Sequence, residues 1–231
     1  MKSIKSLSSG ISASESLKAR LTLSFSLMGA IWIVGLIGHF TVLKEWPALL
    51  LYVFGSIGLV LYRGNKLGEW QKIYLAGGNL GKSLKWGGIA GAVLFAMDII
   101  NTVMYYKNGG APMAGMEFIL VNGSLLYLFP ILILAEEFLW RGIMFSALIE
   151  KGVNKHLTVF LTTIFYVVNH FAVASVGMQE RALMGMMAFP IGILGGYLVL
   201  KTKNIWGSVL VHITTMVSMV LDIFVIPQLI R

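Results

Sequence analysis

Residues 125–149 read LLYLFPILILAEEFLWRGIMFSALI. Two adjacent carboxylates, Glu136 and Glu137, and the guanidinium of Arg141 interrupt what is otherwise lipid-soluble chain. Each ionisable group is costly to take out of water, so their retention inside such a run needs a physical reason. The surroundings are the same in kind: of 231 residues, 57% are hydrophobic and 12% charged, and the mean hydropathy is +0.82. A soluble domain of this length does not carry so little charge. The composition specifies an all-α, polytopic membrane helix bundle, because a helix of about 20 apolar residues crosses a hydrocarbon core of about 30 Å.

Working outward, seven helices are expected, over about 21–43, 46–62, 84–106, a long segment within 117–150, 157–175, 181–200 and 204–226. Pro130 or Gly123 is expected to break the fourth, which is too long for one straight span. If all seven span, the lysines and arginines sort to two sides. One side receives Lys2, Lys5, Lys18 and Arg20, then Arg63, Lys66, Lys72, Lys82 and Lys85, then Arg141, Lys151 and Lys155, then Lys201 and Lys203. The other receives Lys44, Lys107, Arg181 and Arg231. A wrong span count would mix the groups, so the asymmetry predicts a cytoplasmic amino terminus and a carboxyl terminus outside. On this reading residues 1–20 are a cytoplasmic tail and 21–231 a single membrane-embedded domain. The first apolar run lacks a small-x-small cleavage site and reads as a retained anchor. The loop 63–83 is expected to hold a short interfacial helix.

The net charge of +8 is spread among membrane segments, where anchoring explains it, so nucleic acid is not a partner. Cysteine is absent, which rules out a disulfide framework or thiolate site. Gly87 and Gly91, like Gly192 and Gly196, have the spacing that lets membrane helices approach closely, and packing is their expected role. There is no internal repeat of the kind many secondary transporters carry.

On a helix Glu137 and Arg141 are four apart, with the acid first, and are expected to form a structural ion pair. Glu136 is turned about 100° away and lacks a partner on its own helix. Its neighbour one turn on is Trp140, an apolar wall, and a carboxyl so placed is suited to general-base and general-acid work. His170 lies about 20 Å, and His212 about 12 Å, from the cytoplasmic ends of their helices at the helical rise. Glu136, His170 and His212 are therefore expected to meet in one wet cavity open to the cytoplasm. A carboxylate and two imidazoles around a water form a minimal hydrolytic set.

EEFLWR fits the EExxxR motif of the CPBP family, also called the ABI family. These intramembrane proteases include type II CAAX prenyl endopeptidases and bacteriocin-processing or self-immunity proteins. YVVNH, Tyr166 to His170, resembles the family's FxxxH with tyrosine for phenylalanine, and HITTM, His212 to Met216, resembles HxxxN or HxxxD in part. The resemblance covers roughly 120–220. It implies an intramembrane peptidase in which Glu136 and His170 activate water and His212 holds the oxyanion, with Glu137, Arg141 and Tyr166 in support. Met216 cannot donate where the family has Asn or Asp, a loss worth about 100-fold where such a donor is used. Thr215, at i+3 from His212, is the expected substitute.

No cofactor is expected. Zinc held by Glu136, His170 and His212 is the competing mechanism, but Arg141 places a cation nearby and no HExxH pair is present. The expected partners are membrane lipid and a peptide or protein substrate, either prenylated at its carboxyl terminus or a leader peptide. The expected location is the bacterial plasma membrane. The alternatives are a catalytically impaired binding or scaffold protein of the same fold, which Met216 favours, and a proton-coupled transporter. His39 and His156 match no pattern and read as packing or interfacial. Asp98 is expected to pair with a polar group or line an opening, and Asp222 to be hydrated near a helix end. The 13 methionines are flexible apolar surface.

Overall fold

In the computed structural model, which describes residues 12–230, α1 (Ala13–Gly38) begins well before position 21. A capping box explains the early start: Glu15 N–H donates to Ser12 Oγ at 3.2 Å and Ser12 N–H to Glu15 Oε2 at 2.8 Å, which satisfies two of the donors that a helix start leaves open. Lys18 and Arg20 therefore belong to the first helix and not to a tail, while Lys2, Lys5 and Arg231 lie outside the described residues. Arg20 is fully buried and pairs with Glu150 far along the chain, so it is a structural ion and not a membrane-surface anchor.

After α2 (Trp46–Leu61) the chain widens through a π-helical turn, Tyr62–Lys66. Beyond it residues 68–79 are turns, so the interfacial helix expected in this loop is absent among the described residues. A buried knot holds the loop down instead. Arg63 Nε–H donates to Glu69 Oε2 at 2.7 Å, its Nη2 reaches the Ser16 carbonyl at 3.0 Å, and the Ser16 hydroxyl donates to Glu69 Oε1. Burial pushes the Glu69 carboxyl up, but the Ser16 hydroxyl and the Arg63 guanidinium outweigh it and hold Glu69 below the usual carboxylate range.

Four long helices form the body: α3 (Leu80–Lys107) lies along α9 (Trp206–Phe224), and α7 (Lys155–Val173) along α8 (Met178–Thr202). Small residues set these approaches, as expected. A Cβ added at Gly87 would sit 2.4 Å from the Gly207 carbonyl oxygen, and one at Gly192 would sit 2.6 Å from the Thr163 methyl.

The fourth span is built from α4 (Ala114–Val121), α5 (Leu125–Glu137), a π-helical stretch Phe138–Phe145 and α6 (Ser146–Glu150). It bends by 89° between α4 and α5. The break falls at Gly123–Ser124, where Ser124 takes a left-handed φ of 56°, and not at Pro130, which α5 carries in its interior. Counting this bent pair once, up to seven helices are long and apolar enough to cross a membrane. Short α10 (Ile226–Ile230) closes the chain. Among the described residues there is no strand. The connections 39–45, 108–113 and 174–177 gather at one end of the bundle. The connections 62–79, 151–154 and 203–205 gather at the other, where Lys66, Lys72, Lys151, Lys155 and Lys203 are exposed.

Candidate active site

The π-helical stretch follows directly on the acidic doublet, so the last turn of α5 presents Glu136 and Glu137 where the helix widens. Such widened turns collect at functional sites because they re-aim side chains. Glu136 keeps 17% of its side chain exposed, whereas Glu137 keeps 2%. Glu136 and His170, both half-buried, line one cavity of about 380 Å³ together with buried Tyr166, His212 and Thr215. The convergence expected of Glu136, His170 and His212 is what the helices produce.

The ring of His212 is held on both sides. Its Nδ1 lies 3.3 Å from Glu137 Oε1, and its Nε2 lies 3.0 Å from Tyr166 Oη and 3.4 Å from Glu136 Oε2. A proton on Nδ1 donates to Glu137, which leaves Nε2 to accept from the phenol. His170 Nδ1 lies 2.9 Å from the Tyr166 carbonyl oxygen, so Nδ1–H donates there and Nε2 is left as an acceptor. Tyr166 joins the two imidazoles, edge-on to His170 with ring centroids 4.7 Å apart and to His212 at 5.8 Å. Trp140 stacks obliquely behind it at 6.4 Å, and Tyr52 closes on Trp140 at the same distance.

Two expected partnerships differ. Glu137 takes His212 as its hydrogen-bond partner, and among the described residues Arg141 has no ion-pair partner. A π-helix bonds i to i+5 rather than i+4, and the widened turn carries Arg141 out of register with Glu137. Its Nη2 donates to the Gly192 carbonyl at 3.2 Å, and its guanidinium lies 5.5 Å from the Tyr166 ring centroid. Arg141 still acts on Glu137 through its charge and clamps α8 to the site. Thr215 is on the cavity wall, but its hydroxyl donates back to the His212 carbonyl at 2.9 Å, so the expected substitute donor is already engaged. Met216 also lines the cavity and offers no donor.

Some residues went unweighed in the sequence. Asn169, beside His170 in YVVNH, is buried and accepts from Trp32 Nε1–H at 3.2 Å, which pins α7 to α1. Tyr52 on α2 is buried on the cavity wall, and nothing in its local sequence marks it. Asp98 meets the expectation of a polar partner and an opening: its Oδ2 lies 2.6 Å from the Ser218 hydroxyl and it lines the cavity. Asp222 does not meet its own. It is only 5% exposed and faces Asp98 and Thr102, because the outer part of α9 packs on α3 instead of ending in water. His156 pairs with Tyr197 Oη at 2.8 Å, away from the site. His39 follows α1 at the opposite end, where burial and the charge of Arg181 push its imidazole below its ordinary value.

The cavity runs toward the end of the bundle opposite the exposed lysines. Glu45, Tyr105, Met113 and Glu180 line it, and no lining residue comes from 62–79, 151–154 or 203–205. The lining thus lies toward the end of the bundle away from those five lysines. His170 is about 22 Å from the start of α7 but only about 5 Å from its end at Val173.

Residues 118–217 match the model of the family described as Type II CAAX prenyl endopeptidase Rce1-like. The matched span contains all three motifs, and the resemblance to the CPBP proteases is borne out over it. The family is one of proteases, so the match supports a peptidase in a multi-pass, lipid-embedded chain. No curated protein and no solved structure matches the chain.

Proposed function

We propose that the protein is an intramembrane endopeptidase of glutamic type, in which Glu136 and His170 activate water on the wall of the cavity. The observation that carries this reading is the placement of Glu136, His170, His212 and Tyr166 on one cavity, with two carboxylates within 3.4 Å of the His212 ring nitrogens. Water between Glu136 and His170 gives its proton to the Glu136 carboxylate while it also donates to His170 Nε2. The hydroxide adds to the peptide carbonyl, and Glu136 later returns the proton to the leaving amine. The oxyanion role expected of His212 becomes a shared one. Glu137 fixes the ring through Nδ1, and the Tyr166 phenol, which donates to Nε2 at rest, exchanges that bond for the developing charge and turns its O–H onto it. Tyrosine in the second motif then makes good the donor that Met216 lacks in the third.

With the lysine-rich face toward the cytoplasm, the cavity opens on the outer side of the plasma membrane, and substrate arrives from there. The metal-free mechanism is part of the proposal. Among the described residues no three His, Asp or Glu side chains are arranged to hold a metal ion. The deciding experiment is peptide cleavage by purified protein in lipid nanodiscs, wild type against Glu136→Gln, with and without a strong chelator. Cleavage by the wild type in chelator and its loss in the variant are expected. Equal rates for the two proteins would sink the assignment, and loss on chelation alone would turn it into a metalloprotease.

A further inference from the structure

The charged lining of the cavity is of one sign. Glu45, Asp98, Glu136, Glu180 and Asp222 face it, and no lysine or arginine does. A peptide carrying a free terminal carboxylate finds no cationic partner there. A peptide carrying cationic side chains finds several acidic ones, in surroundings where charge is poorly screened.

Within that lining the Asp98–Asp222 pair stands apart. No ion pair among the described residues includes either carboxyl. Asp222 is 5% exposed, yet its Oδ1 accepts no hydrogen bond. Asp98 Oδ2 accepts from the Ser218 hydroxyl at 2.6 Å, the Asp98 and Asp222 carboxyls also meet each other, and Thr102 and Asn101 stand beside the pair on the same wall. A buried carboxyl facing a half-buried one, with an acceptor left open, forms a receptor for a donor that is all proton and no lone pair, which describes an ammonium or a guanidinium. The pair also sits at a definite distance from the chemistry. Asp222 is ten positions beyond His212 on α9, or about 15 Å at the helical rise, and an extended peptide covers about 3.3 Å per residue, so the separation corresponds to about four residues.

We propose that Asp98 and Asp222 form a specificity subsite for a Lys or Arg side chain about four residues from the scissile bond, and that the substrate is a cationic peptide. The inference rests on the proteolytic reading and names its substrate class. The subsite lies between Glu136 and the end of the cavity lined by Tyr105, Met113 and Glu180, so a basic residue entering from that end is engaged before the scissile bond reaches Glu136.

The test uses full-length protein in nanodiscs and a set of peptides differing at one position, which carries Lys, norleucine or Glu and is moved along the chain. At one position kcat/KM is expected to favour Lys over norleucine by about ten-fold or more, the worth of one charge-assisted hydrogen bond. Asp98→Asn with Asp222→Asn should collapse that ratio toward one. A ratio that survives the double substitution, or a wild type with no preference at any position, overturns the subsite. If the wild type cleaves no peptide, the protease reading falls, and binding decides the subsite by itself. Fluorescence anisotropy with Glu136→Gln protein should then show the Lys peptide bound more tightly than its norleucine twin, with the difference lost on adding the two Asn substitutions. Equal binding of the twins overturns the proposal.

Discussion

Replacing Tyr166 by Phe removes one oxygen from the site and leaves the ring. The ring carries the packing, between Trp140 at 6.4 Å and His170 at 4.7 Å, so the fold should survive. The structural loss is the phenol's bond to His212 Nε2, worth about 1 kcal/mol net. The catalytic loss should be far larger, because a donor aimed at a developing oxyanion typically contributes about 100- to 1,000-fold in kcat, or about 3–4 kcal/mol. Steady-state cleavage should thus show kcat falling by about 100-fold with KM nearly unchanged, since the donor acts mainly in the transition state. A second substitution separates this from a general disturbance. Met216→Asn, one turn beyond His212 on the cavity wall, restores a donor where the family pattern has one. It should recover about ten-fold or more in the Tyr166→Phe background and add little to the wild type, a coupling that a double-mutant cycle measures directly. A Tyr166→Phe enzyme within about three-fold of wild-type kcat would refute the compensation between the two motifs.

The mouth can be located because the chain has no cysteine. Gln179→Cys, exposed at the mouth end, should react with a membrane-impermeant maleimide in intact cells, and Lys151→Cys, exposed at the lysine-rich end, only after permeabilisation; the reverse pattern would put the mouth in the cytoplasm. Arg63→Ala leaves the buried Glu69 carboxylate, 4% exposed, with only the exposed Lys72 ammonium at 3.6 Å as a cation, and should cost about 3 kcal/mol. Replacing both by apolar residues of similar size should recover most of that in a thermal melt. Glu69 also gives a pH signature. Its folded value lies below its ordinary value of 4.5, so its contribution to stability is fully present above that value and is lost as pH falls through the lower folded one. Glu69→Gln should therefore lower the melting temperature at neutral pH and flatten its acid dependence below about pH 4.5, and an unchanged acid limb would refute the linkage.

Hydropathy made the spans legible because lipid solubility is summed over some twenty residues and tolerates errors of detail. The same averaging hid the start of α1. Ser12 and Glu15 form a capping box that pulls Lys18 and Arg20 into the helix, and Arg20 then finds Glu150 at the far end of the fourth span. That pairing depends on two segments meeting, which no local window contains. Gly123 was among the expected break points because glycine relieves the backbone at a sharp bend, and the bend was placed when Ser124 took a left-handed conformation beside it. The site residues could be found for a different reason. An acid or an imidazole in a lipid-soluble run is expensive, so Glu136, His170 and His212 stand out one at a time, and the cavity brings them together.

Partnerships were harder to read than positions, because they turn on a few degrees of helical phase. Uniform α-helix pairs Glu137 with Arg141, whereas the π-helical stretch Phe138–Phe145 separates them. Glu137 is then free to orient His212, while Arg141 spends its donor on the Gly192 carbonyl of α8. The direction of a cavity is likewise a matter of packing. A residue's depth along one helix says how far it lies from an end, but not which end the bundle leaves open. That is decided by where α4 folds back at Gly123–Ser124 and by which connections spread apart. Met113 before α4 and Glu180 in the first turn of α8 both line the opening, and Glu180 Oε1 accepts the Gly115 and Met116 N–H groups at 2.8 and 3.1 Å. One carboxylate thus ties the folded-back helix to α8 at the rim, so the shape of the mouth and its acidic character have a common origin.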